Sequence, residues 1–168
     1  AMRVDNVAFV WQSKGTGSNQ KLFEKWYPGD DLVDWCAYSY FGKPDQEMLI
    51  FARKHGKPVF ISEATPVRQI DQLYFDSDLK NVELEKTIWK EWFAPFFKII
   101  NDNLDVIKAF SYINSNWAAQ PMWQTNSTFN KVDSRLQESK YVSKMWKKEM
   151  DKQQYQHASN IFWNTWPK

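Results

Sequence analysis

A glutamate that closes an apolar strand is the residue of this chain best placed to do chemistry. The run Lys57-Pro58-Val59-Phe60-Ile61-Ser62-Glu63-Ala64-Thr65-Pro66 opens on Lys-Pro, continues through β-branched and apolar residues, reaches a carboxylate and is stopped by Thr-Pro. A strand buried on both faces of a parallel sheet reads as such a near-continuous apolar run. In α/β folds the chemistry gathers at the carboxyl ends of those strands, which is where Glu63 falls. The structural alternative is a carboxylate that caps a helix or pairs with a lysine. Aromatic side chains are the second resource: 10 Trp, 7 Tyr and 12 Phe. Flat apolar faces with a polar handle suit sugar rings, but they equally suit cores and subunit contacts.

Four strand-then-helix units must position these groups. Val7 to Trp11 is an apolar strand, ended by the turn-rich Ser13 to Asn19 and followed by a partly helical connection, Gln20 to Tyr27. Pro28-Gly29-Asp30-Asp31 turns into a second strand, Val33 to Phe41. A helix from about Asp45 to His55 carries Met48, Leu49, Phe51 and Ala52 on one stripe and ends at Gly56. After the Glu63 strand, a polar loop from Val67 to about Asn81 leads to a helix with Trp89, Trp92, Phe93, Phe96, Phe97 and Ile100 on one face. Pro95 inside that helix predicts a kink or a division in two. The fourth strand, Val106 to Ile113, runs through Asn114-Ser115-Asn116 to Trp117, and a second long loop, Ala118 to Val132, contains Trp123. Ser134-Arg135-Leu136-Gln137 reads as a capping box opening the last helix, whose buried face is Leu136, Val142, Met145, Trp146 and Met150. Lys140, Lys144, Lys147 and Lys148 read as its solvated face. Residues 151–168 form a tail rich in apolar groups (Ile161, Phe162, Trp163, Trp166) that is expected to dock on the domain.

Alternation of strand and helix predicts a parallel sheet with crossover helices in one domain, residues 1–168, with the four units in 7–150. Two architectures fit: a small open sheet with helices on both faces, or part of an eight-unit barrel. The 168 residues carry 22 Lys+Arg against 20 Asp+Glu, a net charge of +2, which gives no argument for a nucleic-acid or membrane partner. The one cysteine, Cys36, lies in an apolar strand and reads as a buried hydrophobe. Asp30, Asp31 and Asp34 precede a strand, so they belong to the amino-terminal face of the sheet, where a turn and an arginine partner explain them better than a metal. His55 and His157 are too isolated for a metal site, and Gly15 and Gly17 alone make no phosphate loop, so no cofactor is expected. No signal peptide and no transmembrane run is legible.

Trp26-Tyr27-Pro28-Gly29-Asp30-Asp31-Leu32-Val33-Asp34-Trp35, the Lys57 to Pro66 strand, Ile107-Lys108-Ala109-Phe110-Ser111-Tyr112-Ile113-Asn114 and Asp133-Ser134-Arg135-Leu136-Gln137 together, in this order and spacing, resemble a family. They are similar to retaining glycoside hydrolases of the large β/α-barrel clan, of the family 26 mannanase and glucanase type. The resemblance spans roughly Val7 to Trp146 and implies that the four units are barrel strands five to eight. It then implies that Glu63 is the catalytic nucleophile. The general acid/base of that family ends strand four, which this chain lacks, so weak or no activity is expected of the chain alone. Length agrees independently, since a complete barrel takes about 250 residues.

Within that frame Tyr40 is the candidate hydroxyl that orients Glu63, because hydrogen bonds to an ionised carboxylate favour that form. A core role for Tyr40 remains open, and Tyr38 and Phe41 compete if the register differs. Trp117 is the candidate platform under the sugar. Trp11 and Gln12 at the end of the first strand, Asn114, Asn116 and Trp123 are candidates for further sugar contacts, although Asn114 and Asn116 also suit turns. The implied partner is a β-linked polysaccharide or oligosaccharide, and secretion is what the family implies. A non-catalytic carbohydrate-binding or scaffold module is the alternative. Exposed parallel edges and an unfilled inner face further predict a homodimer that closes an eight-strand barrel.

Overall fold

The computed structural model describes residues 7–12, 20–67 and 82–157. The turn at Ser13 to Asn19, the loop residues 68–81 and the tail residues Ile161, Phe162, Trp163 and Trp166 lie outside the described residues. Strand and helix alternate as β1 (Val10–Gln12), α1 (Gln20–Trp26), β2 (Trp35–Tyr40), α2 (Gln46–Lys54), β3 (Val59–Ala64), α3 (Val82–Ile88), a π-helical turn (Trp89–Phe93), α4 (Ala94–Asp102), β4 (Ile107–Tyr112) and α5 (Lys140–Met150). All neighbouring strands pair in parallel, in the order β1-β2-β3-β4. No described helix is long and apolar enough to cross a membrane.

Which of the two expected architectures forms is decided by where the helices pack. Alternate residues of a strand face opposite sides. On one side Trp11 meets Phe23, Tyr27 and Phe51 at centroid distances of 5.6, 5.1 and 5.5 Å. On the same side Tyr40 meets Trp92 and Phe96 at 5.5 and 5.1 Å, and Phe110 meets Phe96 at 5.4 Å. Tyr112 packs on Trp146 at 5.0 Å. The helices α1, α2, α4 and α5 and the π-helical turn therefore cover one face of the sheet. A doubly wound sheet has helices on both faces and reverses its strand order at a switch point. A simple sequential order with helices on one face is the winding of a barrel wall, so the fold is an α/β half-barrel.

Local sequence signals account for most element ends. Asp45 caps α2 by accepting the Met48 N–H on Oδ1 at 3.2 Å, and Gly56, at φ 62°, leaves the helix through the left-handed region. Replacing Asp45 with Ala is expected to lower stability by about 1 kcal/mol, read as a fall in the urea midpoint at unchanged slope, with Asn restoring most of it. The expected kink at Pro95 takes a specific form. Ala94 N–H reaches back to Trp89 C=O, a bond five residues long, and Pro95 then lies in the first turn of α4, where a missing N–H costs nothing.

One expected cap is corrected. Ser134 does not open the last helix: Leu136–Glu138 is a 3-10 turn, and α5 starts after Ser139, whose Oγ accepts the Val142 N–H at 3.0 Å. Ser134 is fully buried, and its Oγ is already committed to the carbonyls of Ile113 and Ser115 at 2.8 and 2.9 Å. The acidic turn also differs in its partner. Asp30 Oδ1 accepts from Tyr27 Oη and faces His55 Nδ1, both at 2.9 Å, so a tyrosine and a histidine stand where an arginine was expected. Those two bonds hold the Asp30 carboxyl below the usual carboxylate range. Cys36 is fully buried, and desolvation pushes its thiol up to about 11.

Candidate active site

Glu63 lies one residue from the carboxyl end of β3, on the face opposite the helices. A β-bulge puts it there. Tyr38 pairs with Ile61, but Ser39 pairs with Glu63, so Ser62 is the extra residue on β3. Without the bulge Glu63 would share the helix-facing side with Ile61 and Val59. With it, Ala64 takes the buried position beside Tyr40, and the carboxylate turns to the open face opposite Ser39.

Three strand ends converge on the carboxylate. Ser39 Oγ donates to Glu63 Oε2 at 2.6 Å, and Gln12 Nε2 approaches the same oxygen at 3.3 Å. Gln12 Nε2 also donates to Ser39 Oγ at 2.9 Å. Gln12 is exposed at the end of β1, whereas Ser39 is buried at 6%. The hydroxyl against Glu63 is thus that of Ser39, and the expectation for Tyr40 is corrected. Tyr40 occupies the next position along β2, and alternation turns it into the helix layer, where burial raises its phenol to about 12. Alternation likewise separates the two residues expected at the end of β1. Gln12 reaches the site, while Trp11 packs among Phe23, Tyr27 and Phe51.

Past β4 the chain builds an aromatic loop at the same end of the sheet. Trp117 stands 4.8 Å from Phe129 and 5.6 Å from Trp123, and Phe129 reaches Phe41 just beyond β2 at 6.4 Å. Trp117 Nε1 donates to Ser134 Oγ at 3.1 Å and lies 3.4 Å from Thr65 Oγ1, two residues after Glu63. The buried Ser134 hydroxyl therefore fixes the indole instead of capping a helix. Trp117 and Trp123 are both half-buried. The Oδ1 atoms of Asn114 and Asn116 hold loop backbone, and Asn114 Nδ2 donates to Gln137 Oε1 at 3.1 Å. Asn114 Oδ1 accepts Leu136 N–H at 2.7 Å, and Asn116 Oδ1 accepts Ala119 N–H at 3.1 Å. Ser39 is the site residue that the strand pattern hid. Its signal was the alternation of small Ala37 and Ser39 with large Tyr38 and Tyr40, which marks the small pair as the open face.

A carboxylate anchored through one oxygen can attack through the other. Among the described residues Glu63 Oε1 receives no hydrogen bond, and no second carboxylate is bonded into the Gln12, Ser39 and Glu63 group. The chain is 35% identical over 177 aligned positions to a β-1,3-xylanase of an Alcaligenes species and 34% identical over 177 to the β-1,3-xylanase TXYA of a Vibrio species. Each match takes in 94% of this chain. The chain spans only 37% and 38% of the lengths of these two relatives. No family model matches the chain.

Proposed function

We propose that this chain is part of a retaining glycoside hydrolase that cleaves a β-linked polysaccharide, with Glu63 as its nucleophile. The observation that carries the reading is a glutamate at the carboxyl end of a barrel-wall strand, on the open face, in a chain a third identical to two β-1,3-xylanases. The names of those relatives make β-1,3-xylan the proposed substrate, within the family 26 type that the sequence resembles. Glu63 Oε1 would attack the anomeric carbon as the glycosidic C–O bond breaks, and a second carboxyl about 5 Å away would protonate the departing oxygen. The same second group would then take a proton from the water that releases the sugar. The described residues supply the first carboxyl only. The second belongs to a complementary set of strands along the edges of β1 and β4, from the part of the relatives beyond the match or from a second copy of this chain. Trp117 and Trp123 supply apolar faces for the sugar, with Gln12 at the rim.

Isothermal titration of the 168-residue chain with β-1,3-xylotriose and with β-1,4-xylotriose tests the substrate. Tighter binding of the β-1,3 sugar, weakened about tenfold or more by Trp117→Ala, is expected, since the indole face removes apolar area from water at about 25 cal/mol per Å². Equal binding of the two sugars, or none, would remove β-1,3-xylan. A carbohydrate-binding module is the second reading, favoured by the single carboxylate beside the aromatic loop. It predicts the same Trp117-dependent binding in a protein with no chemistry that depends on Glu63.

A further inference from the structure

We infer that Ser39 and Gln12 act as positioning residues that assign the two oxygens of Glu63 to different tasks, Oε2 to be held and Oε1 to attack. The inference rests on the reading of Glu63 as nucleophile. Both donors converge on Oε2, at 2.6 Å from Ser39 Oγ and 3.3 Å from Gln12 Nε2, and neither touches Oε1. The direction of each hydrogen bond follows from the chemistry of the groups. An ionised carboxylate only accepts, so the single hydroxyl proton of Ser39 must point at Glu63. Ser39 Oγ is then left as an acceptor for Gln12, which fixes the Gln12 amide with Nε2 inward, because its carbonyl oxygen would face two acceptors.

The group is therefore a one-way relay from the end of β1, through β2, to the end of β3. Its rigidity is unequal along its length. Ser39 is buried at 6% and locked by the strand, whereas Gln12 is exposed and braces the hydroxyl from the solvent side. The bulge at Ser62 is what sets the serine and the carboxylate opposite each other. A carboxylate with one pinned oxygen loses rotation about its last bond, so the free oxygen stays aimed at one point above the sheet. That is the form of preorganisation that favours attack on a bound sugar over mere binding of it.

Two measurements on the 168-residue chain test this. In proton–nitrogen spectra the two side-chain amide protons of Gln12 should be well separated in the wild type and move towards free-glutamine positions in Ser39→Ala, with Ser39→Thr keeping the separation. With 2,4-dinitrophenyl β-1,3-xylobioside, whose leaving group needs no protonation, the initial burst of dinitrophenolate reads the attack itself, and Ser39→Ala should slow it about 10- to 100-fold at a half-saturating concentration changed less than about threefold, in line with loss of a hydrogen bond to a charged group. Ser39→Thr should recover most of that burst rate. Gln12 amide protons at free positions in the wild type would overturn the relay whatever the activity. So would equal losses in Ser39→Ala and Ser39→Thr, which would make packing the cause. A Glu63→Gln variant as active as wild type would instead remove the nucleophile and leave the spectral result standing.

Discussion

Glu63→Gln is expected to abolish the slow release of dinitrophenolate from 2,4-dinitrophenyl β-1,3-xylobioside, by about 10³-fold or more, while leaving sugar affinity within about threefold. The amide is isosteric, and its oxygen can keep the hydrogen bonds from Ser39 and Gln12, so the local fold is preserved. What disappears is the anionic oxygen that forms the bond to the anomeric carbon, and removal of a nucleophile is among the largest single-residue effects known in catalysis. The activated leaving group matters, because it separates the two carboxyl roles. Departure of dinitrophenolate requires only attack, whereas polymeric β-1,3-xylan requires a proton donor as well. The wild-type chain should therefore release a burst of dinitrophenolate from the aryl glycoside, turn over only slowly afterwards, and fail on the polymer. Azide added to Glu63→Ala should restore turnover and give the α-glycosyl azide, since it attacks from the face that the carboxylate has vacated. Release unchanged in Glu63→Gln would end the assignment of the nucleophile.

The second large effect is on stability. Phe96→Ala is expected to cost about 3–5 kcal/mol, the usual range for removing a buried aromatic side chain. Phe96 is fully buried in α4 and stands at the junction of sheet and helices, 5.1 Å from Tyr40 and Trp92, 5.2 Å from Phe97 and 5.4 Å from Phe110. No single neighbour can move into the gap without leaving another ring. Domains have only about 5–15 kcal/mol in total, and a sheet with one face unfilled draws on a smaller core than a closed barrel does. Guanidinium unfolding followed by circular dichroism should thus show the transition shifted far down or lost at room temperature. Phe96→Leu should cost much less, because it keeps most of the volume. A loss below about 1 kcal/mol for the alanine variant would mean that the ring cluster is not the centre of the core.

The legible parts of this molecule are those whose causes are local. Asp45 and Gly56 bound a helix by their own backbone chemistry, and both acted where the sequence placed them. Glu63 was legible because Thr-Pro ends a strand whatever surrounds it. The hydroxyl partner was not, because the choice between Ser39 and Tyr40 depends on which face of β2 meets the carboxylate. One extra residue on the neighbouring strand, Ser62, decides that, and a bulge has no residue signature of its own. Ser134 failed as a cap for a related reason. Its motif was intact, but burial had already given its hydroxyl to two carbonyls and an indole. The aromatic stripe carries a hint of the π-helical turn in its spacing. Ile88, Trp92, Phe96 and Ile100 recur every four residues, wider than the α-helical 3.6, so a helix keeping them all on the sheet must be unwound somewhere.

That unwinding, the π-helical turn at Trp89–Phe93, also makes the segment tolerant of a change in length. A turn that holds one residue more than an α-turn can give that residue up and close as ordinary helix. Deletion of one residue within Trp89–Phe93 would leave Ile88 and Phe96 seven residues apart, about 700° of ordinary α-helix, so α3 would keep its face to within about 20°. The contact between Glu85 and the Tyr141 N–H would be kept, with the strands left alone. A deletion inside β2 or β3 would exchange the faces of every residue beyond it and carry Ser39 or Glu63 away from the open side. Within this half-barrel wall, gene-length variation is expected to collect in that one helical turn, on the layer away from the carboxylate.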